Sequence, residues 1–266
     1  MASEGKSLSI ADASQPNAGR IYDYLLGGNH NFEIDRGAAE QLIRALPSMP
    51  LWVRIIRWFL AEAVSRLALE GFTKFLDFAS GLPTIDHIHQ NVPKGTKVIY
   101  SDLDPVTVAY AQDILKGLSD VVFVDGDAGH PETVLKLDVV QSFFGSDHKV
   151  AIGFNGIAWF LPDERIRYAM QVLYDWADKG SKLYFSDTDL DIVSPVTAKV
   201  SEFYKQVNQP IFPRSRKTIE SLLGKWKICP PGFLPLADWL PIDRKALEDV
   251  AAMNQANTIG AILVKE

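Results

Sequence analysis

The spacing of hydrophobic and polar residues differs between two parts of the chain. In the first seventy residues, apolar positions recur at helical spacing. The pattern predicts three helices, at residues 16–28, 35–46 and 51–71. The third has an apolar face that includes Ile55, Phe59 and Leu67, and the pattern assigns to its polar face Arg54, Arg57, Glu62 and Arg66.

After residue 72 the rhythm changes to short, continuous apolar runs that each end in a polar residue. These runs predict buried strands at residues 73–79, 97–102, 121–127, 149–155 and 182–187. Helical patterns lie between them, which indicates an α/β fold with a parallel sheet and right-handed crossovers. Near the end, "WKICPPGFLPLADWLP" and "NTIGAILVKE" predict two more strands that form an antiparallel edge.

Composition and charge narrow the class of protein. The 266 residues are 47% hydrophobic and carry a net charge of −6, with one cysteine, Cys229. We therefore expect no internal disulfide, a cytoplasmic location and no nucleic-acid partner. No signal peptide or membrane span is expected. Residues 1–14 are expected to be disordered, and the basic run "PRSRK" (213–217) is interpreted as the solvated start of a helix capped by Ser215.

The predicted strands end on side chains that suit a ligand site. In an open parallel sheet, ligands bind beyond the carboxyl ends of the strands. The polar residues at those ends are Asp77, Asp102, Asp125, Asp127, Asn155 and Asp187. A helix cap or turn explains any one of them, but the repetition predicts a shared site.

The spacing of these residues indicates a nucleoside-containing cofactor. Ser80-Gly81 lets the backbone approach a ligand, and Asp102 follows about twenty residues later, where a carboxylate can accept both ribose hydroxyls. Asp127 can accept from an exocyclic adenine amine.

The loop after the first strand decides which cofactor is expected. Its sequence, "ASGLPT", has one glycine, and Pro83 lacks an amide donor, so it does not suit a pyrophosphate. S-adenosylmethionine (SAM) has no phosphate, and Asp77 can face its ammonium group. A nicotinamide-dependent reductase remains an alternative, because Asp102 fits it, although the loop and the terminal strands do not.

Four sequence blocks, in order along the chain, carry a resemblance to a known family. They are "RIYDYLLGGNHNFEIDRGAAE" (20–40), "FLDFASGLPT" followed by "HIHQ", "YSDLDPVTVAYA", and "RSRKTIESLL" with "PPGFLPLADWLP". The chain resembles a family of SAM-dependent methyltransferases known mainly from actinobacteria and long described as a domain of unknown function. Gly19, Asn29 and His87 replace residues usual in that family.

The resemblance implies a fold and a cofactor site. The fold is the Rossmann-like, seven-stranded class I methyltransferase sheet with an antiparallel last strand. SAM is the implied cofactor and S-adenosylhomocysteine (SAH) the product. The expected cofactor-binding residues of the core are Asp77, Ala79, Ser80, Gly81, Asp102, Leu103, Asp127, Ala128 and Asn155. The N-terminal helix, placed over the sheet, is expected to add Arg20 and Tyr22. Ala79 stands where the motif usually has glycine. Alanine is strained there if the position needs a positive φ, and it is tolerated if the position needs only a small side chain.

The N-terminal helices, residues 15–71, are expected to form a lid over a core of residues 72–266. Candidate acceptor-binding residues are Tyr24, Asn31, Phe32, Trp159 and Phe160. Tyr22 and Phe32 can equally be core residues of the helix, as can Trp159 and Phe160. His30 is the candidate base, with a solvated loop histidine as the alternative. His87 and His89 diverge on a helix, so no metal site is expected.

The function predicted from these observations is methyl transfer from SAM to a small-molecule acceptor, in secondary metabolism. In-line displacement needs alignment and exclusion of water more than side-chain catalysis. The alternative is a catalytically silent SAM-binding or regulatory protein, which the missing glycine and the absence of a clear base favour. The oligomeric state stays open, a homodimer included.

Overall fold

A single mixed sheet with helices on both faces forms the core of the molecule. The computed structural model describes residues 15–189, 195–206, 209–240 and 258–266, and the tail expected to be disordered (1–14) lies outside that part of the chain. The strands are β1 Lys74–Phe78, β2 Lys97–Asp102, β3 Val121–Asp125, β4 Ala151–Phe154, β5 Lys182–Thr188, β6 Lys227–Ile228, β7 Leu234–Pro235 and β8 Thr258–Val264.

Helices fill the crossovers and the N-terminal segment. They are α1 Ala18–Leu26, α2 Glu33–Ala45, α3 Met49–Leu69, α4 Ile88–Asn91, α5 Pro105–Ile114, α6 Glu132–Leu135, α7 Asp138–Phe144, α8 Asp163–Trp176, α9 Pro195–Gln206 and α10 Arg216–Leu222. The three predicted N-terminal helices and the five predicted parallel strands are confirmed. Gly27 ends α1 at a φ of 89°, as a glycine after a helix predicts.

The sheet order is β3-β2-β1-β4-β5-β8-β6, with β7 also paired to β8. The strands β1 to β5 pair in parallel, whereas β8 is antiparallel to β5, as predicted. The order reverses between β1 and β4, and ligand sites in such sheets lie at this reversal.

The number of strands differs from the prediction. The segment predicted as one strand before β8 contains two short strands, β6 and β7, which both pair with β8. Pro230 and Pro231 lie between them, and proline cannot donate an amide to a sheet ladder. The sheet therefore has eight strands rather than seven within the described residues.

The two faces of the sheet bury separate apolar layers. One layer contains the predicted apolar face of α3, and the other contains the buried faces of α7, α8 and α10. Because β1, β4 and β5 are covered on both sides, nearly every side chain in them is buried. This explains their continuous rather than alternating apolar sequences.

Candidate functional site

A cavity of about 520 Å³ opens at the carboxyl ends of the first four strands. Asp77 at the end of β1, Asp102 at the end of β2, Asp127 after β3 and Asn155 after β4 all line it. Its volume is in the range of small-molecule and cofactor sites. The structure thus brings together side chains that are as much as 78 residues apart in the sequence.

Most of the residues predicted for the cofactor and acceptor line this cavity. They are Tyr22, Asp77, Ala79, Ser80, Gly81, Asp102, Leu103, Asp127, Ala128, Asn155, Trp159 and Phe160. Two other strand-end residues are not in its lining: Asp125 is exposed, and Asp187 is buried beside Arg214.

Asp77 is the most enclosed carboxylate in the cavity lining. Its Oδ1 accepts a hydrogen bond from the Tyr184 hydroxyl at 2.7 Å, and the side chain is buried. Burial raises the pKa of Asp77, against the opposing effects of the hydrogen bonds and of Arg57. A carboxylate in such surroundings interacts strongly with any cation that displaces the remaining water.

The neighbouring strand leaves space for this pair. Gly153 on β4 is the sheet partner of Asp77. A Cβ at Gly153 would lie 1.9 Å from Asp77 Oδ1 and 2.2 Å from the Tyr184 hydroxyl oxygen. Any side chain at this position would collide with the pair.

The turn after β1 has two residues in the left-handed region. Ala79 has a φ of 51° and Gly81 a φ of 61°. His87 Nε2 lies 3.0 Å from the carbonyl oxygen of Ser80, and this contact helps to hold the turn in place. Of the two alternatives for Ala79, the structure shows the strained one, since a positive φ is costly for a residue with a Cβ.

We expect Ala79→Gly to stabilise the protein by about 0.5–1 kcal/mol, because relief of the left-handed strain exceeds the added freedom of the unfolded chain. For a protein of this size, that corresponds to a rise in melting temperature of roughly 1–4 °C. Thermal unfolding measures it. The matched control is Ala61→Gly inside α3, which should destabilise by about 1 kcal/mol. A loss of similar size at both positions would contradict the strain at Ala79.

Asp102 joins the turn to the second strand. Its Oδ2 accepts from the Gly81 amide at 2.9 Å, and its Oδ1 accepts from the Asp104 amide at 3.0 Å. Burial raises the pKa of Asp102 to about 6, against the hydrogen bonds that lower it. Each carboxylate oxygen has a second lone pair, so both can accept from a ligand as well.

Asp127 lines the cavity beyond Asp102, in the turn after β3. Its Oδ1 accepts from the Gly129 amide at 2.7 Å. Gly126, just before it, packs so closely on α6 that a Cβ there would lie 2.0 Å from Val134. The turn therefore presents Asp127 and Ala128 from a fixed position.

The end of the cavity beyond β4 is lined by the rings of Trp52, Trp159, Phe160 and Tyr204, which we call the aromatic wall. Asn155 donates to the Ile56 carbonyl oxygen at 3.3 Å and marks the boundary. Ring centroids of Trp52 and Trp159 are 4.7 Å apart, and Trp159 lies 5.0 Å from Phe160 and 5.4 Å from Tyr204. Trp159 and Phe160 pack on the core and also line the cavity, and their role in acceptor binding stays a prediction.

The prediction that Arg57 lies on the polar face of α3 is wrong. Its side chain is only 5% exposed and lines the cavity next to Tyr22, with its guanidinium carbon 5.5 Å from the centroid of the Tyr22 ring. Sequence reasoning missed it as a site residue. The signal was its spacing: Val53, Arg57, Leu60 and Val64 lie at positions i, i+4, i+7 and i+11, which share one helix face.

The interpretation of the basic run 213–217 as solvated is wrong at Arg214. Ser215 does cap α10, but Arg214 is buried rather than solvated. Its guanidinium is 2.7 Å from Asp163 and 3.4 Å from Asp187, and it donates to the carbonyl oxygens of Ala158 and Leu161. It thereby holds the turn that carries the aromatic wall.

The predicted residues of the N-terminal block that are not in the cavity lining make internal contacts instead. Arg20 pairs with Asp35 at 2.7 Å, Tyr24 donates to Glu40 at 2.6 Å, and Asn31 donates to Asp23 at 2.9 Å. Phe32 lies under the Arg20 guanidinium, and the His30 ring packs 6.4 Å from Tyr110. These contacts fix the fold of the segment, and they place His30 away from the cavity lining.

Two kinds of feature are absent from the described ranges. No group of three or more His, Cys, Asp or Glu side chains there is placed to hold a metal ion. None of the helices described is both long enough and apolar enough to cross a bilayer.

The chain is similar to known proteins in sequence pattern and in fold. A family model described as S-adenosyl methyltransferase matches residues 4–265. The structure of a putative methyltransferase from Thermobifida fusca superimposes with a TM-score of 0.86 at 26% identity, over 96% of this chain and 97% of that one. A DUF574 family protein from Streptomyces avermitilis gives the same score and identity, over 96% and 99%. No protein of curated function matches the sequence.

Proposed function

Because the chain belongs to the S-adenosyl methyltransferase family, we propose that it transfers the methyl group of SAM to a small, planar, largely apolar acceptor. SAM is the cofactor and SAH the product. When bound, SAM supplies a methyl group activated by a sulfonium sulfur. Family membership supports an enzyme, and not the silent binding protein or the nicotinamide-dependent reductase considered from the sequence.

The order of the strands suggests the orientation of the cofactor. Asp127, Asp102 and Asp77 follow the strand order β3-β2-β1 along one edge of the sheet. We assign Asp127 to the adenine amine, Asp102 to the ribose hydroxyls and Asp77 to the ammonium group. This order leads the methyl-bearing sulfur toward β4 and Asn155, where the aromatic wall begins.

The aromatic wall is the observation that supports the choice of acceptor. At that end of the cavity, the described lining contains the rings of Trp52, Trp159, Phe160 and Tyr204. Burial raises the pKa of the Tyr204 hydroxyl, so it is not a base at neutral pH. We therefore propose that the wall holds the acceptor flat and excludes water, and that no side chain removes a proton.

The N-terminal helices complete the proposed enclosure. Residues Asn17, Gly19 and Tyr22 at α1 and Trp52, Ile56 and Arg57 on α3 line the cavity opposite the strand ends. Tyr22 donates to the Val53 carbonyl at 2.9 Å and so links the two helices. We propose that segment 15–71 acts as a lid on the core 72–266.

Methyl transfer from labelled SAM to a panel of acceptors tests the proposal. We expect turnover on flat aromatic compounds that carry a hydroxyl or amine, and none on aliphatic acids. Phe160→Ala should raise the acceptor KM about 10-fold, because an aromatic contact is lost, and leave the Kd for SAM within about 2-fold.

Phe143→Ala is the matched control, since Phe143 is also partly buried but is not in the cavity lining. It should change neither the acceptor KM nor the Kd for SAM. Turnover confined to charged aliphatic acceptors or to macromolecules would refute the proposed acceptor class.

A further inference from the structure

The side chain of Arg57 is buried, and two of its guanidinium nitrogens have no hydrogen-bond partner in the described part of the chain. Neither Nε nor Nη1 has a partner there, although both atoms are shielded from water. Buried polar groups are nearly always hydrogen-bonded, and leaving charged donors unsatisfied is especially unfavourable. An acceptor from outside the chain would remove this cost.

The surroundings of Arg57 supply one charge of each sign. Arg57 and Asp77 line the same cavity, and the positive charge of Arg57 lowers the pKa of Asp77 against the larger effect of burial. Arg57 Nε and Nη1 do not hydrogen-bond to Asp77, whose Oδ1 accepts from Tyr184. The two opposite charges are therefore held near each other without neutralising each other through these atoms.

The Arg57 side chain is also held in place. It starts from the middle of α3, and its guanidinium lies over the Tyr22 ring. Tyr22 is itself anchored by its hydrogen bond to Val53. A positioned arginine of this kind loses little entropy when it binds a planar anion.

We propose that Arg57 binds the α-carboxylate of the cofactor's amino-acid end, while Asp77 takes its ammonium group. A zwitterionic amino acid presents one charge of each sign, which matches the separated charges of Arg57 and Asp77. This inference rests on the proposed cofactor orientation and adds a residue to it. Arg57 thereby selects nucleosides that carry an intact amino acid.

Calorimetry with three ligands tests the assignment: SAM, decarboxylated SAM, which lacks only the carboxylate, and methylthioadenosine, which lacks the amino-acid portion. We expect Arg57→Met to weaken SAM binding about 10- to 100-fold, the effect of losing charge-assisted hydrogen bonds. It should leave the other two ligands within about 2-fold. The matched control is Arg54→Met, since Arg54 lies on the same helix but is exposed, and it should change none of the affinities.

The outcomes separate this inference from the function on which it rests. Equal losses for SAM and decarboxylated SAM in Arg57→Met, or no loss for either, would overturn the role of Arg57. Asp102→Asn should weaken all three ligands alike, and failure of the unaltered protein to bind any of them would overturn the cofactor site itself.

A conservative variant covers the case in which Arg57→Met does not fold. Arg57→Lys keeps the charge but loses the planar array of donors, so it should weaken SAM binding by an intermediate factor and spare methylthioadenosine. The melting temperature without ligand is measured for each variant. An unchanged SAM affinity in Arg57→Lys and in every folded variant at this position would exclude the proposed contact.

Discussion

Gly153→Ala is expected to abolish detectable SAM binding and to lower the free energy of unfolding by about 3 kcal/mol or more. The new methyl group would lie 1.9 Å from Asp77 Oδ1 and 2.2 Å from the Tyr184 hydroxyl. Overpacking a well-filled core costs about 1–3 kcal/mol, and displacing a hydrogen bond from a buried carboxylate adds a similar amount. The same displacement moves Asp77 away from the position proposed for the ammonium group.

Chemical denaturation and calorimetry with SAM measure the two effects. Gly37→Ala in α2 is the matched control, because a Cβ there meets nothing within 4 Å and alanine favours a helix, so stability should be equal or higher. Tyr184→Phe removes only the hydroxyl and should weaken SAM binding less than Gly153→Ala. Wild-type stability and affinity in Gly153→Ala would mean that Asp77 does not depend on its hydrogen bond to Tyr184.

The sequence was sufficient for the parallel part of the sheet and for the position of the cavity. Apolar runs that end in acids identify parallel strands, and the strand ends must meet at one edge, which is how Asp77, Asp102 and Asp127 were placed together. These inferences work because strand burial and sheet polarity are set by local pattern and by topology. The short strands β6 and β7 were not predictable in the same way, because two-residue pairings leave no period to detect.

Side-chain direction is what the sequence did not determine. A block such as "RIYDYLLGGNHNF" identifies a family, but it does not show whether a side chain points to a ligand or to its own backbone. Arg20 and Asn31 form bonds within the segment, whereas Arg57, outside the quoted blocks, lines the cavity. Gly153 is a similar case, since its importance depends on two side chains from other strands.

The aromatic wall depends on a buried cation, so Arg214→Met is expected to destabilise the protein by about 3–5 kcal/mol. The change leaves Asp187 buried without its cation and removes the donors to the Ala158 and Leu161 carbonyls. Removing one partner of a buried ion pair typically has this effect. Because those carbonyls flank Trp159 and Phe160, the acceptor KM should rise while the Kd for SAM changes less.

The pH dependence of the stability lost in Arg214→Met shows whether the charge of Asp187 causes that loss. Burial raises the pKa of Asp187 to about 7, and Arg214 opposes that rise, so the pKa should be higher still in Arg214→Met. A carboxyl whose pKa is raised on folding contributes stability at low pH and loses it as pH rises through the folded-state pKa. The unaltered protein completes this loss near pH 8 and the variant at higher pH. The difference in free energy of unfolding between the two proteins should therefore be larger at pH 9 than at pH 6.

The control is Arg216→Met, at an exposed ion pair with Glu220, which should change stability by less than about 0.5 kcal/mol at either pH. A deficit for Arg214→Met that is the same at both pH values would show that the lost carbonyl contacts, and not the Asp187 charge, account for the role of Arg214.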